Sequence, residues 1–343
     1  FSGKTIKDTD TAVPYYVINN NTDNKNAITF TENAGIYKVS GLPIGKSLWV
    51  YNKDGEFVKK AANNSTMTLE PGEYDINIGE GTIDYSFDIA EDTSIADTVQ
   101  TAIDMGADAT DTVTINVTSD TNFGGLPKYN FDLLIKSPNK ATITVDNGLI
   151  ANNAGMTTEY KNVVINNPTE YGSFELAHSN AIFHKDASFL GADSKLIFGY
   201  NNVGQATEIV HDQTVEINCK TPPEISLSNG INVRKVYSGD VNLIINHKDA
   251  STRLYFNAYY EGVPHYTTQY NGNVNINIKD TKTINLESGW DSNISFGENS
   301  HIQFMIDGST TFDWDILATK LTENSLKDKA VIIDNGEELP NIL

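Results

Sequence analysis

The chain has 343 residues, 39% hydrophobic and 20% charged, so it is long enough for two folded domains and too apolar for a disordered protein. Its formal net charge of −21 and its two arginines argue against a nucleic acid or an anionic membrane as partner. The single cysteine, Cys219, excludes an internal disulfide, and no apolar run approaches the roughly 18 residues of a membrane-spanning helix.

Asparagine and threonine are abundant, with 39 and 34 residues, and both are typical of strands joined by tight turns. Apolar and polar residues alternate over the first 90 residues, which predicts strands with one buried face. Asp54-Gly55 supplies the turn of a hairpin that pairs 47–51 with 56–59. We expect strands in this part at 15–18, 36–39, 48–51, 66–69, 74–78 and 83–89.

The stretches GLPIGKSLWVYNKDGEFV and LEPGEYDINI place two turn signals between alternating strands within residues 35–89. In this pattern the segment resembles the small β-sandwich modules of secreted bacterial proteins. We therefore predict a small β-sandwich domain over residues 1–90. The resemblance implies a spacer, an anchor or a folding aid, and it implies no catalytic residue.

The period of the pattern changes near residue 91, where we expect the domain boundary. Ser94 and Asp97 have the spacing of a capping box, and an apolar stripe follows at helical spacing. Gly106 is the residue type that ends a helix. The sequence therefore predicts a helix over 94–105.

From residue 112 onward the sequence predicts strands without intervening helices. These lie at 112–118, 131–136, 141–145, 162–166, 181–184, 195–198, 214–218, 224–228, 231–236, 240–246, 253–257, 273–278, 282–286 and 301–306.

Two internal repeats favour a solenoid over a sandwich for these strands. HKDAS at 184–188 recurs at 247–251, an offset of 63 residues, and GDVNLII at 239–245 recurs as GNVNINI at 272–278, an offset of 33. We interpret 63 residues as about three coils of a stacked repeat. On this interpretation His184 and His247 occupy equivalent positions.

The helix within TSIADTVQTAIDMGADATDTVTINVTSDT, followed by the Gly-Asp/Asn-Val-Asn repeats, resembles the right-handed parallel β-helix (pectin-lyase-like) domains of bacterial surface proteins. The resemblance covers residues 91–306 and implies an all-β solenoid whose first coil is covered by the helix at 94–105. It also supplies the handedness, which the residues themselves do not set. A helical pattern at 313–321 predicts a C-terminal cap over about 307–343, so that the second domain spans 91–343.

The catalytic motifs of relatives with this fold are missing. Neither arginine lies in the RxPxxR setting of pectate lyases, and GHG, RIK and an adjacent Asp-Asp, which mark polygalacturonase-like hydrolases, do not occur. A generic carboxylate pair is the remaining route to glycoside hydrolysis. The candidates are Asp313 with Asp315, the set Asp104, Asp108 and Asp111, and Glu208 with Asp212, which we interpret as surface carboxylates, with Asp313 as a helix cap.

Histidine and cysteine give no metal or nucleophile signature. No HxH or HExxH spacing is present, so we interpret His184 and His247 as turn residues and expect no cofactor. Cys219 alternates with Val215 and Ile217, which predicts a buried strand thiol. The many Asp and Asn side chains leave room for Ca²⁺, although no EF-type loop occurs.

The segment 253–272 has an excess of aromatic residues. Flat rings beside polar groups suit stacking on sugar rings or a protein partner, and the alternative is that the rings pack inside the coil. The candidate ligand-binding residues are Arg253, Tyr255, Tyr259, Tyr260, Glu261, His265, Tyr266 and Tyr270.

These features favour a non-catalytic binding or adhesion module that recognises a glycan or a cell-surface protein. We expect a location outside the cell or on its surface, without membrane insertion. No signal peptide is recognisable, and because the chain starts at Phe1 we expect a processed or excised piece of a longer protein. One alternative is a polysaccharide-active lyase or hydrolase that uses an unrecognised carboxylate pair, and another is a structural stalk.

Overall fold

The computed structural model divides the chain into two compact units. Unit 1 comprises residues 1–85 and 101–112, and unit 2 comprises 86–100 and 113–343. The residues described are 4–6, 15–18, 27–30, 32–33, 36–70, 74–89, 92–145, 155–168, 173–176, 179–190, 195–198, 207–222, 224–228, 234–247, 251–256, 268–279, 283–286, 294–307, 311–312, 314–323 and 326–339.

Unit 1 consists of short strands in antiparallel sheets, as the alternating pattern predicts. The strands are β1 (Lys4–Ile6), β2 (Tyr15–Ile18), β3 (Ala27–Phe30), β4 (Glu32–Asn33), β5 (Ile36–Lys38), β6 (Ser47–Asn52), β7 (Phe57–Ala61), β8 (Thr66–Thr68) and β9 (Tyr74–Gly79). In the described residues of this unit one sheet has the order β1-β9-β6-β7, a second has the order β4-β5-β8, and β2 pairs with β3.

The predicted hairpin is present as β6 and β7. Gly55 adopts a positive φ of 81°, and the Asn52 side chain accepts hydrogen bonds from the backbone N–H groups of Asp54 and Glu56. Both sheets contribute to one hydrophobic cluster, so the unit has a core of its own. The cluster comprises Tyr37, Val39, Leu42, Leu48, Val50, Ala61, Met67, Leu69, Tyr74 and Ile76.

The helix predicted over 94–105 is present as α1 (Ile95–Asp104). Ser94 Oγ accepts a hydrogen bond from the Asp97 backbone N–H at 3.0 Å and donates one to the Asp97 carboxylate at 2.7 Å. At the other end Gly106 has a φ of 89°, its N–H bonds to the Ile103 carbonyl, and the Ala107 N–H bonds to the Ala102 carbonyl. This is the Schellman arrangement, which satisfies the last carbonyls of a helix.

Most of the remaining strands belong to parallel sheets. They are β10 (Asp84–Ile89), β11 (Thr112–Val117), β12 (Thr121–Asn122), β13 (Asp132–Lys136), β14 (Thr142–Thr144), β15 (Thr157–Lys161), β16 (Val164–Asn166), β17 (Ser173–Leu176), β18 (Asn180–Phe183), β19 (Ser188–Leu190), β20 (Lys195–Phe198), β21 (Thr207–Ile209), β22 (Gln213–Ile217), β23 (Glu224–Ser226), β24 (Lys235–Tyr237), β25 (Val241–Ile245), β26 (Ser251–Tyr255), β27 (Thr268–Tyr270), β28 (Val274–Lys279), β29 (Thr283–Leu286), β30 (Ile294–Phe296), β31 (Ile302–Asp307), β32 (Thr311–Phe312), β33 (Ala330–Asp334) and β34 (Glu337–Glu338).

One long sheet runs through these strands in the order β10-β11-β13-β15-β18-β22-β25-β28-β31-β33-β34. Three further sheets have the orders β12-β14-β16-β19, β17-β20-β23-β26-β29-β32 and β21-β24-β27-β30. The pairings within these three sheets are parallel. The chain returns to the long sheet once in each coil, a coil being the segment between two successive strands of that sheet. The fold is therefore mostly β with long parallel sheets, compatible with a β-solenoid.

The register of the long sheet confirms one repeat and corrects the other. Val241 pairs with Val274, so the 33-residue offset is one coil. Phe183 pairs with Ile217 and Ile217 with Ile245, which is 62 residues over two coils rather than 63 over three. The position after Phe183 therefore corresponds to Asn246, and the predicted equivalence of His184 and His247 is wrong. The coils differ in length because the loops between strands differ, and pairing alone sets the alignment.

The second predicted helix is present as α2 (Trp314–Glu323), and Leu317 and Leu321 on it are fully buried. A short 3₁₀ helix (Lys327–Lys329) leads into β33, which pairs with β31 in parallel, and β34 then pairs with β33 in antiparallel fashion. In the part of the chain that the structure describes, no helix has the length and apolar character needed to cross a membrane.

Candidate functional site

Five of the eight predicted ligand-binding residues lie outside the described residues. These are Tyr259, Tyr260, Glu261, His265 and Tyr266, and their role stays a prediction.

Arg253 and Tyr255 lie two residues apart on β26, so they share one face of their sheet. The Arg253 side chain is 42% exposed, and its Nη2 lies 2.5 Å from Oε1 of Glu224. The other carboxylate oxygen of Glu224 lies 3.1 Å from Lys195 Nζ.

Tyr270 is a core residue, which is the opposite of a ligand-facing ring. It is fully buried, it stacks between Tyr237 at 5.1 Å and Phe296 at 5.3 Å, and its hydroxyl donates to the carbonyls of Phe256 and Leu227. Burial raises the pKa of Tyr270 well above its ordinary value. Part of the aromatic excess of this segment is therefore explained by packing, since Phe256 is fully buried too.

The outward face of the long sheet is a second candidate surface, which the sequence analysis did not single out. Along β18, β22, β25 and β28 the burial alternates, so one set of side chains fills the interior while the other is partly exposed. We call the partly exposed set the amide face. It comprises a first row (Asn180, Thr214, Asn242, Asn275), a middle row (Ile182, Glu216, Ile244, Asn277) and a third row (His184, Asn218, Asn246, Lys279).

Side-chain hydrogen bonds run along the first and third rows from coil to coil. Asn242 Nδ2 donates to Thr214 Oγ1 at 3.2 Å, and Asn275 Nδ2 donates to Asn242 Oδ1 at 2.8 Å. In the third row Asn246 Nδ2 donates to Asn218 Oδ1 at 3.0 Å. Because parallel strands lie about 4.8 Å apart, these bonds space the amides regularly and hold their orientation.

The middle row alternates in polarity. Ile182 and Ile244 are separated by Glu216, which lies between them in register, and Asn277 follows Ile244. An extended molecule lying along this face therefore meets an isoleucine at every second strand. Ile182 is flanked by Asn180 and His184, and Ile244 by Asn242 and Asn246.

The same strands explain why the amide face forms. In TVEIN, NLIIN and NVNINI the inward positions are all apolar, and asparagine occupies several of the outward positions between them. The signal that indicates the site is the recurrence of asparagine at the outward positions, which becomes visible once the register is known.

A cleft of about 540 Å³ is lined by the ends of the first strands of the long sheet in unit 2. Lys136 and Lys161 are neighbours in register and line it together. The Asn116 side chain donates to Asp88 at 2.7 Å, and the Asn162 backbone N–H donates to Asp186 at 2.9 Å. Lys136 and Lys161 occupy the same register position as His184, so the cleft continues the third row along the ends of the strands.

Three of the carboxylates considered for catalysis accept hydrogen bonds from other residues of the chain. Glu208 accepts a hydrogen bond from the Ser238 hydroxyl, and Asp212 accepts one from the Asp240 backbone N–H. Asp111 accepts a hydrogen bond from the Lys60 side chain, and Asp315 is exposed in the first turn of α2. Asp313 lies outside the described residues.

His184 is paired with a side chain on the neighbouring strand, and Cys219 is buried. His184 Nε2 lies 2.7 Å from Oε2 of Glu159 on the neighbouring strand. Cys219 is buried, and that burial raises the pKa of its thiol to about 12, so the thiolate needed of a nucleophile does not form near neutrality. Within the described ranges no three His, Cys, Asp or Glu residues are grouped to hold a metal ion.

Comparison with known protein families, curated proteins and solved structures gives no match.

Proposed function

We propose that the chain is a non-catalytic binding module of the cell surface, in which a small β-sandwich precedes a right-handed parallel β-helix of the pectin-lyase-like kind, and that the β-helix recognises a neutral glycan. The observation that carries the proposal is the row of hydrogen-bonded Asn and Thr side chains on the amide face.

The chemistry of the amide face suits sugars. A primary amide has two N–H donors and two acceptor lone pairs. The hydrogen bonds along the first row use one donor and one acceptor of Asn242. Its second N–H and its remaining lone pair can therefore bind sugar hydroxyl groups. Aliphatic patches at every second strand offer contact to the C–H faces of sugar rings.

The predicted aromatic loop after β26 adds a second contact surface to the proposal. Arg253 and Tyr255 lead into it, and Tyr259, Tyr260, Glu261, His265 and Tyr266 belong to it. Single contacts of this type contribute on the order of 1 kcal/mol, so we expect weak affinity at one site and strong attachment through many copies.

The test is binding of the full chain to a glycan array. We expect the double variant Asn242→Ala, Asn275→Ala to lose at least tenfold in affinity, because two adjacent amides of the first row are removed. The matched control is Asn122→Ala, which removes an exposed amide from β12 on a different sheet and should bind like the parent.

Two outcomes contradict the proposal. One is unchanged glycan binding by the double variant together with loss of binding by Tyr259→Ala, Tyr260→Ala, which assigns recognition to the aromatic loop alone. The other is release of new reducing ends or unsaturated products from a polysaccharide, abolished by one carboxylate substitution, which makes the protein an enzyme.

A further inference from the structure

A lysine and two aspartates form a buried cluster in unit 1. Lys60 on β7 is 4% exposed and Asp111, in the loop after α1, is 2% exposed. Lys60 Nζ lies 3.1 Å from Oδ1 and 2.9 Å from Oδ2 of Asp111. Because the two distances are nearly equal, the amine faces the carboxyl carbon rather than one oxygen.

The backbone of Lys60 is fixed by the end of the helix. Its N–H donates to the Met105 carbonyl at 2.7 Å, and a Cβ on Gly106 would lie 1.9 Å from the Lys60 carbonyl oxygen. Only glycine permits this approach, so the strand and the helix terminus are in direct backbone contact. The amine therefore has little freedom to leave the carboxyl group.

The Asp111 carboxyl group receives two backbone donors. The Ile83 N–H donates to Oδ1 at 2.8 Å, and the Asp108 N–H donates to Oδ2 at 2.9 Å. Backbone N–H groups aimed at the oxygens of a carbonyl carbon stabilise the negative charge that develops there when a nucleophile attacks. The arrangement thus combines a held nucleophile with an activated acyl group.

A second carboxylate reaches the same amine. Oδ2 of Asp108 lies 2.9 Å from Lys60 Nζ, and its side chain is 42% exposed. Burial raises the pKa of Asp108, but hydrogen bonds from Thr110 and Lys60 outweigh it, so this pKa is lowered overall and the group stays a carboxylate that accepts a proton. Burial and the charges of Asp111 and Asp108 raise the pKa of the neighbouring Tyr85.

We propose that Lys60 and Asp111 condense into an intramolecular isopeptide bond, with Asp108 as the proton carrier. Within the ion pair a proton passes from the ammonium to the Asp111 carboxylate, which gives a neutral amine and a carboxylic acid. Nζ forms a bond to Cγ, and Asp108 takes the second amine proton. Asp108 returns this proton to a carboxyl oxygen, the C–O bond breaks, and one water leaves, so an ammonium and a carboxylate become an amide and water with no change in net charge.

The bond joins residues 51 positions apart, so it closes a large covalent loop that includes α1. A cross-link of this length restricts the unfolded chain as a disulfide does. The chain has one cysteine and no internal disulfide, and the isopeptide bond supplies the missing covalent constraint without oxidation.

The test is the intact mass of the purified full chain, followed by peptide mapping. We expect a mass below that of the sequence by one water molecule, and a branched peptide that contains both Lys60 and Asp111. The pair Lys195 and Glu224, 3.1 Å apart but shared with Arg253, is the internal control and should give only linear peptides. A full sequence mass overturns the proposal, as does a lost water that maps to any other residue.

Two variants separate the bond from simple charge pairing. Lys60→Arg keeps a cation at the pair but presents no amine that condenses, so it should have the full mass of its sequence. Asp108→Asn keeps Lys60 and Asp111 and removes the proton carrier, so we expect the linked fraction to fall at least tenfold while circular dichroism stays that of the parent. Complete linkage in Asp108→Asn overturns the role given to Asp108.

Discussion

Replacing Gly272 with alanine tests how closely successive coils approach. An added Cβ would lie 2.2 Å from the Gly239 carbonyl oxygen and 2.4 Å from its carbon, whereas real Cβ contacts stay above 3.0 Å. The atoms in the way belong to the backbone of the neighbouring coil, so no side chain can rotate to relieve the overlap. Gly239 itself approaches the backbone of His211 in the same manner at 2.3 Å.

The loss in the free energy of unfolding can be estimated from the backbone contacts that the added Cβ would open. Opening the contact strains the bonds from the N–H groups of Asn271 and Gly272 to the Tyr237 carbonyl, at 2.7 and 3.1 Å. Overpacking typically costs about 1–3 kcal/mol, and each weakened hydrogen bond adds about 0.5–1.5 kcal/mol. We therefore expect a loss of about 2–5 kcal/mol, which in a unit of this size lowers the melting temperature by roughly 10 °C.

Thermal and urea unfolding measure this effect directly. Gly125→Ala is the matched control, since no atom lies within 4 Å of its added Cβ and its φ is not positive, and it should stay within about 0.5 kcal/mol of the parent. If Gly272→Ala is as stable as Gly125→Ala, the coils do not stack at this spacing and the register derived from β25 and β28 is wrong.

Three further predictions concern Tyr270, Ser94 and Cys219. Tyr270→Phe removes the hydroxyl that bonds to two buried carbonyls but keeps the ring stack, so we expect a loss of about 1–3 kcal/mol in the free energy of unfolding, and unchanged stability would place the hydroxyl elsewhere. Ser94→Ala removes the cap of α1 and should cost about 1 kcal/mol by thermal unfolding, whereas no loss would mean that the Asp97 N–H has another acceptor. Cys219, whose pKa is raised to about 12 in the folded chain, should react with a thiol reagent at pH 8 only after denaturation. The contribution of the Cys219 thiol to stability is intact below its unfolded pKa of about 8.5 and declines as the pH rises toward 12, because only the unfolded chain releases the proton in that window. Fast labelling of the folded protein would contradict a buried, protonated thiol.

The local signals in the sequence were sufficient for several elements. Ser94, Asp97 and Gly106 define both ends of α1 through bonds to neighbours in the chain, and Asp54-Gly55 defines its hairpin. The alternation in 274–278 likewise predicts which side chains are buried, because a strand exposes every second residue to the same face.

Register and long-range clusters depended on the tertiary structure. HKDAS occurs twice, yet its copies are displaced by one residue from the pairing of Phe183, Ile217 and Ile245, because backbone hydrogen bonds between strands, and not letter identity, align the coils. The amide face appears only after that alignment, since its members come from four different coils.

The strand-rich composition can be read directly from the residues. The helix ends, the tight turns and the alternation of buried and exposed residues were predictable because each depends on residues a few positions apart. The folded chain alone shows that Tyr270 packs in the core while Asn242 and Asn275 face outward side by side. It also brings Lys60 to Asp111, a contact across 51 positions that no sequence feature near either residue predicts. The physical reason is that pairing between distant segments is set by the packing of whole strands, which no short stretch of sequence encodes.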